Sequence, residues 1–192
     1  KIAGFVGDLS SMEASFIFKE FFERIIGVNN YDFRSSNNFI DNSDRENYLF
    51  NSTINGIENS DLIFLIGTNP RFEATILNAR IRKAHLENNP KIISLNDVGD
   101  LTYPYEFLNG SSKTIKEIFE GTNKFSNEIL NAKRPLIILG ESFLNLKSAK
   151  LLFFKIKNFL LKNKKCIILT SYCSCNKLLK ICNELSYQFD FK

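Results

Sequence analysis

The stretch Asp61-Leu-Ile-Phe-Leu-Ile-Gly-Thr-Asn-Pro-Arg71 decides the fold of this chain. It contains five consecutive apolar residues between an aspartate and a glycine, without alternation of polar and apolar side chains. A run of this kind predicts a strand that is buried on both faces of a parallel sheet. The asparagine and proline after the glycine suit a helix cap and a first helical turn, so a helix is predicted over residues 71–88.

The alternation of strands and helices continues on both sides of this stretch. Further strands are predicted at residues 2–6, 48–50, 91–95, 135–139 and 166–170. Helices are predicted at residues 10–26, 114–120, 127–132, 144–162 and 176–185, with a helical turn at 54–57 and a loop at 103–108. The first helix is predicted to begin with a capping box of Ser10 and Glu13. The helix over 71–88 has an apolar face of Ala74, Leu77, Ile81 and Ala84.

This order of elements is typical of an α/β fold, namely a Rossmann-like, mainly parallel sheet with helices on both faces. The 192 residues are enough for one such domain, which could divide into subdomains 1–132 and 133–192. The apolar runs are far shorter than the roughly 20 residues that cross a bilayer, so no transmembrane helix or signal peptide is expected. Because the first residue is Lys1, the start is expected to be processed or to lie inside a longer chain.

Charge is distributed unevenly along the sequence. Residues 1–130 carry 13 basic and 18 acidic residues, a net of −5, whereas residues 131–192 carry 12 basic and 3 acidic residues, a net of +9. The lysines of the region 147–165 indicate either a solvated helix face or a docking surface for an acidic partner. Nucleic acid is not expected, because the region lacks interleaved arginines and aromatics and zinc-finger spacing. A stand-alone module that binds anionic lipid or nucleic acid stays open as an alternative.

The cysteines do not predict a metal centre. All four lie near the end of the sequence, at Cys166, Cys173, Cys175 and Cys182. The Cys-x-Cys spacing differs from the Cys-x-x-Cys pairs of zinc sites and from common iron–sulfur patterns. A reducing compartment is therefore favoured over a disulfide scaffold.

The best candidate for a binding site is the turn of Gly67, Thr68, Asn69, Pro70 and Arg71, at the carboxyl end of the predicted strand. Open α/β sheets bind ligands at this edge, where free N–H groups and an arginine attract phosphates. The same residues also suit a strand-to-helix turn on geometric grounds alone. His85, the only histidine, is interpreted as a surface or interface residue. No catalytic constellation is recognisable, which favours a non-catalytic domain.

Three ordered segments carry a family resemblance: residues 31–34 (Tyr-Asp-Phe-Arg), 51–83, and 100–106 (Asp-Leu-Thr-Tyr-Pro-Tyr-Glu). Together they resemble the molybdopterin-oxidoreductase-like domain of the large, 75 kDa-type iron–sulfur subunit of respiratory complex I, NADH:ubiquinone oxidoreductase. The resemblance covers residues 2–110 and fades into a general α/β pattern afterwards.

The resemblance implies a non-catalytic structural part of the peripheral arm of complex I. Gly67, Thr68, Asn69, Pro70 and Arg71 then form a vestigial pterin-site turn, and no cofactor or metal is expected in this chain. Iron–sulfur clusters and FMN are expected in partner chains, which are the cluster-bearing portion of the same subunit and other peripheral-arm subunits. No direct membrane insertion is expected.

The expected location is the matrix side of the mitochondrial inner membrane. The excess of Phe, Ile, Asn and Lys, which A/T-rich codons specify, favours mitochondrial encoding, and the chain is expected to be a fragment or a split-gene product. The alternative is a pterin- or nucleotide-binding fragment of a molybdenum oxidoreductase such as a formate dehydrogenase.

Overall fold

The computed structural model describes residues 1–7, 10–32, 54–163 and 168–170, together with residues 39, 41, 43 and 47. The chain divides into two compact units, Lys1–Asn37 with Cys173–Lys192, and Asn38–Tyr172. The predicted strand at 48–50, the predicted helix at 176–185 and all four cysteines lie outside the described residues. The predicted single domain over 1–192, which could divide into subdomains 1–132 and 133–192, stays a prediction.

The first unit contains a small parallel pair of strands, β1 (Gly4–Phe5) and β2 (Tyr31–Asp32). Between them lies helix α1 (Met12–Glu20), which continues as a π-helical turn (Phe21–Ile26) and ends at Gly27 with φ +74°. The predicted capping box is wrong. Ser11 is the N-cap, and its hydroxyl accepts a hydrogen bond from the Ala14 N–H at 3.2 Å. Glu13 is therefore only the second helical residue, one position short of the third, from which a glutamate reaches back to the cap.

The second unit contains the larger sheet. Its elements are a 3₁₀ helix (Ile54–Asn59), β3 (Leu62–Ile66), α2 (Pro70–Glu73), α3 (Thr75–Asn88), β4 (Lys91–Ser94), β5 (Glu106–Phe107), α4 (Ser112–Glu120), α5 (Lys124–Asn131), β6 (Pro135–Leu139), α6 (Glu141–Leu144), α7 (Ala149–Lys162) and β7 (Ile168–Thr170). Among the described residues, the helices are too short and too polar to cross a membrane.

Five parallel strands form this sheet in the order β5-β4-β3-β6-β7. Strand β3 is central, and successive side chains along it point to opposite faces, as strand geometry requires. Leu62, Phe64 and Ile66 pack with α4, α5, α6 and α7, whereas Ile63 and Leu65 pack with α3 and the 3₁₀ helix. The predicted α/β fold, with a parallel sheet and helices on both faces, is confirmed.

Three predicted elements differ from the structure. The helix over 71–88 is interrupted at Ala74, whose φ of −150° and ψ of 71° are not helical. No glycine or proline marks this break, so the sequence pattern does not indicate it. The helix over 144–162 is replaced by α6 and α7. The loop over 103–108 contains β5, whose two exposed residues give no periodic signal.

The pairing of β3 with β6 joins residues that are far apart in sequence. Leu62 is opposite Pro135 and Ile66 is opposite Leu139. The Asp61 carboxylate extends this junction, because it accepts hydrogen bonds from the backbone N–H groups of Lys133 at 2.6 Å and Arg134 at 2.9 Å. The start of β6 is therefore held to the start of β3 by a side chain as well as by the ladder.

At the other end of the same two strands, the backbones pack without room for a side chain. The N–H of Gly140 donates to the Ile66 carbonyl at 2.8 Å. A Cβ at Gly140 would lie far inside van der Waals contact with the Gly67 carbonyl oxygen and with Thr68. Gly67 is confined on another side, because a Cβ added to it would lie 2.6 Å from the Phe143 backbone nitrogen.

We expect the substitution Gly140→Ala to lower the free energy of unfolding by roughly 2 kcal/mol or more, because the backbone of β6 must shift. Urea unfolding measures the change. Gly7→Ala is the matched control, since nothing lies within 4 Å of a Cβ there, and its effect should stay within about 0.5 kcal/mol. Equal effects of the two substitutions would contradict the close contact.

Candidate functional site

The strand order places the expected ligand-binding edge between β3 and β6. The strand order reverses there, because β4 and β5 extend the sheet on one side of β3, whereas β6 and β7 extend it on the other side. In open α/β sheets, ligands bind outside the carboxyl ends of the strands at this switch point. The predicted turn lies there, and it begins at Gly67 with φ +63°, a conformation that favours glycine.

The polar groups of this turn are engaged by the protein itself. The Thr68 hydroxyl donates to Glu73 Oε2 at 2.7 Å, and the Asn69 N–H donates to Glu73 Oε1 at 2.9 Å. The Glu73 carboxylate therefore takes the donors that a bound anion would use. Asn69 also caps the four-residue helix α2, because its side-chain oxygen accepts from the Arg71 N–H at 3.2 Å.

Arg71 is also engaged, with the loop that follows β4. Its Nη1 donates to both the carbonyl and the carboxylate Oδ2 of Asp100, each at 2.7 Å. The Asn69 side-chain amide donates to the Val98 carbonyl of the same loop at 3.0 Å. The hydrogen bond from the Thr102 N–H, followed by the one from Arg71, holds the pKa of Asp100 below its usual range. The arginine thus pairs with an ionised carboxylate of its own chain.

A buried pair links α3 to the same loop. Asn78 lies on the core face of α3, and its amide donates to the Leu101 carbonyl at 3.2 Å. The hydroxyl of Tyr103 donates to Asn78 Oδ1 at 2.8 Å. Burial raises the pKa of Tyr103 above its usual range, so the phenol stays protonated and remains a donor. The segments around residues 71 and 100, which both carry the family resemblance, are therefore joined by hydrogen bonds.

A cleft of about 310 Å³ opens beside the turn. Apolar side chains form most of its wall, and the polar residues of its lining are three serines and one asparagine. The lining residues are Ile66, Gly67, Leu95, Asn96, Gly110, Ser111, Ser112, Ile115, Ser142, Phe143 and Leu146. The volume is at the lower end of small-molecule sites, and none of the described residues that line the cleft is charged.

The phosphates of a pterin nucleotide need cationic or N–H partners, and three such donors of the turn already have partners in this chain. The donors of Thr68 and Asn69 face Glu73, and the guanidinium of Arg71 faces Asp100. Phe143 packs against Gly67 on the side to which a Cβ would project, and both residues line the cleft.

Two basic side chains of α3 pair with a glutamate of the 3₁₀ helix, away from the turn. Arg80 and Lys83 both contact the Glu58 carboxylate, at 2.6 Å and 2.8 Å. The hydrogen bond from Lys83 lowers the pKa of Glu58 most, and the one from Arg80 lowers it further. His85 is half-buried near the end of α3. In the part of the chain that the structure describes, no three His, Cys, Asp or Glu residues are grouped to hold a metal ion.

The sequence pattern did not reveal Glu73, Asn78 or Asp100. One signal was available for Asn78, because a polar residue at position 78 interrupts the apolar face formed by Ala74, Leu77 and Ile81. A polar residue on a core face usually has a buried partner. Nothing in the sequence indicates which partner it is, since Tyr103 lies 25 residues away.

We expect Tyr103→Phe to destabilise the fold by about 1–3 kcal/mol, because Asn78 Oδ1 loses its buried donor. The change is measured by denaturant unfolding. Tyr105→Phe is the matched control: its hydroxyl bonds to Asp97 and Gly99 in a more exposed position, and its loss should cost less than about 1 kcal/mol. Equal losses would contradict the buried pair.

We expect Asp100→Asn to weaken the dependence of stability on pH. The folded-state pKa of Asp100 is lowered, so its ionised form stabilises the fold above the unfolded-state pKa of about 3.9. That stabilisation is lost as the pH falls through the folded-state pKa. Unfolding curves measured between about pH 5 and pH 2 should show a smaller loss for the variant. Parallel losses in both proteins would contradict the pairing with Arg71.

Comparison with known proteins identifies relatives of this chain. The 75 kDa subunit of NADH-ubiquinone oxidoreductase from Reclinomonas americana is 36% identical over 152 residues, which cover 73% of this chain and 22% of that protein. An NADH-quinone oxidoreductase subunit from Rickettsia bellii is 39% identical over 141 residues, covering 73% of this chain and 21% of that protein. The chain thus spans about a fifth of the length of these relatives.

A solved structure shares the fold. A chain of the formyltransferase/hydrolase complex (FhcABCD) from Methylorubrum extorquens, in complex with methylofuran, matches with a TM-score of 0.66 and 11% identity, over 97% of this chain and 57% of that one. At this identity, the match concerns the fold alone. The molybdopterin oxidoreductase family matches residues 1–182, nearly the whole sequence. The resemblance found in the sequence is confirmed, and this chain belongs to the molybdopterin oxidoreductase family.

Proposed function

We propose that this chain is a structural, non-catalytic part of the large iron–sulfur subunit of respiratory complex I. Its relatives in Reclinomonas americana and Rickettsia bellii are named as subunits of NADH-ubiquinone and NADH-quinone oxidoreductases. The chain supports the cluster-bearing part of that subunit, which passes electrons from NADH towards quinone. It carries no redox centre of its own.

The non-catalytic role rests on one observation, namely that polar groups of the turn at the switch point are hydrogen-bonded within the chain itself. Glu73 binds the Thr68 hydroxyl and the Asn69 N–H, and Asp100 binds Arg71. The bonds of Glu73 hold the turn to α2, and the bond of Arg71 joins α2 to the loop after β4. A turn that binds a nucleotide in other α/β proteins serves here to connect parts of one fold.

The proposed setting is the mitochondrial inner membrane, on the matrix side. A relative in Solanum tuberosum, 35% identical over 141 residues, is named as a mitochondrial iron-sulfur protein of NADH dehydrogenase. The partners are the cluster-bearing portion of the subunit and the other peripheral-arm subunits. Iron–sulfur clusters and FMN belong to those partner chains.

Native electrophoresis of detergent-solubilised membranes tests the proposal in the organism that encodes the chain. We expect peptides of this chain to migrate with the band that oxidises NADH, together with the iron–sulfur subunits and in equal stoichiometry. An antibody against the chain should deplete NADH:quinone reductase activity from the extract. Migration of the chain in a different band, with the activity left in the supernatant, would overturn the proposal.

The competing hypothesis, a pterin-binding fragment of a molybdenum oxidoreductase, makes a different prediction. It requires molybdenum and an organic pterin in equal amount to the chain. We expect metal analysis of the purified complex to give iron without stoichiometric molybdenum, and oxidative extraction to release no fluorescent pterin. One molybdenum per chain would establish the competing hypothesis.

A further inference from the structure

Helix α7 presents a second apolar stripe, on the side opposite its core face. Its inner side chains, Leu152, Phe153, Ile156 and Leu160, are buried in the core. On the outside, Leu151, Phe154 and Leu161 are 55%, 37% and 64% exposed. Exposed leucines and phenylalanines are ordinary when isolated, but these three share one face of the helix.

The spacing of the outer residues is that of a helix–helix seam. Positions 151, 154, 158 and 161 of α7 are separated by three, four and three residues, the repeat that keeps one stripe facing a partner helix. Leu151, Phe154 and Leu161 occupy three of these positions, and the exposed Asn158 occupies a fourth. A single polar residue within such a seam sets the register of the partner.

The positions that flank the seam are all lysines. Lys150 and Lys157 lie on one side, and Lys155 and Lys162 lie on the other. Lys155 pairs with Glu120 and Lys157 donates to Asn47 at 2.9 Å, so these two also hold α7 to its own unit. Residues 142–163 contain no acidic residue, so α7 itself contributes only cations to the edges of the stripe, and Glu120 of α4 neutralises Lys155.

We propose that this stripe, formed by Lys147, Lys150, Leu151, Phe154, Leu161 and Lys162, docks an acidic, amphipathic helix of a neighbouring subunit. The inference rests on the proposed function, since it assigns a partner surface within the same complex. The apolar residues of the partner helix cover Leu151, Phe154 and Leu161. Its Asp and Glu residues flank that apolar strip and meet the lysines.

The charge and the width of the stripe exclude a second copy of this chain and a membrane surface as its occupant. A second copy of α7 would set lysines against lysines, which costs affinity at every flanking position. A membrane surface requires a broad apolar face, but the broad face of α7 is already buried against the sheet. The narrow outer stripe suits one helix of opposite charge.

Cross-linking of the assembled complex tests the proposal. A zero-length carbodiimide joins a lysine amine directly to a carboxylate, without a spacer. We expect mass spectrometry to find Lys147, Lys150 or Lys162 joined to Asp or Glu residues on one helix of a neighbouring subunit. Links to a second copy of this chain instead, or binding of the chain to vesicles of anionic phospholipid in place of a protein partner, would overturn the proposal.

Charge reversal provides the second measurement. We expect the double variant Lys150→Glu and Lys162→Glu to lower retention of the chain in the complex by about tenfold in a salt wash. The matched control is Lys113→Glu with Lys116→Glu, two exposed lysines of α4, with less than about a twofold effect. Both variants should unfold at the temperature of the unmodified protein, because all four side chains are exposed.

The outcomes separate the two proposals. If the chain is absent from the complex, the proposed function is wrong. If the chain is present, but the three lysines give no cross-links and both variants are retained equally, only the docking surface is wrong.

Discussion

The close backbone contact between the ends of β3 and β6 is the constraint on which the rest of the second unit depends. Gly140 lies against the Gly67 peptide, and Phe143 lies over Gly67. Parallel strands at the centre of a sheet usually separate at this edge to admit a ligand. Here the two glycines allow the backbones to pack closely, and the cleft of about 310 Å³ lies beside the turn, where Gly67, Leu95 and Ile115 form part of its wall.

The close packing at this edge explains the arrangement of the polar groups around it. A turn rich in donors is costly when its groups have no partners, because each buried, unpaired group loses its hydration. Glu73 supplies the missing acceptor within four residues of Asn69, and Asp100 supplies a second acceptor for Arg71. The break at Ala74 separates the short helix that carries Glu73 from α3. Thus a turn with the geometry of a ligand-binding site instead connects α2 to the loop after β4.

The fold was largely predictable from the sequence, and the site was predictable only in location. Continuous apolar runs identified β3 and β6 because both strands are buried on two faces. Strand β5 was missed because its two residues are exposed, and the break at Ala74 was missed because no glycine or proline marks it. The position of the turn followed from its place after β3. The pairing of Arg71 with Asp100 did not, since no local pattern identifies a partner 29 residues away.

The long separation between β3 and β6 has a consequence for how the protein acquires its structure. Strand β3 pairs with β6 about 73 residues later, and the Asp61 carboxylate bonds to Lys133 across the same interval. Contacts of such separation form slowly, because a long loop must close before they are gained. During synthesis, β3 therefore emerges well before one of its neighbours. Its five apolar residues then have an open edge that can pair with other chains. The centre of the mature sheet thus has an unpaired apolar edge while the chain is incomplete.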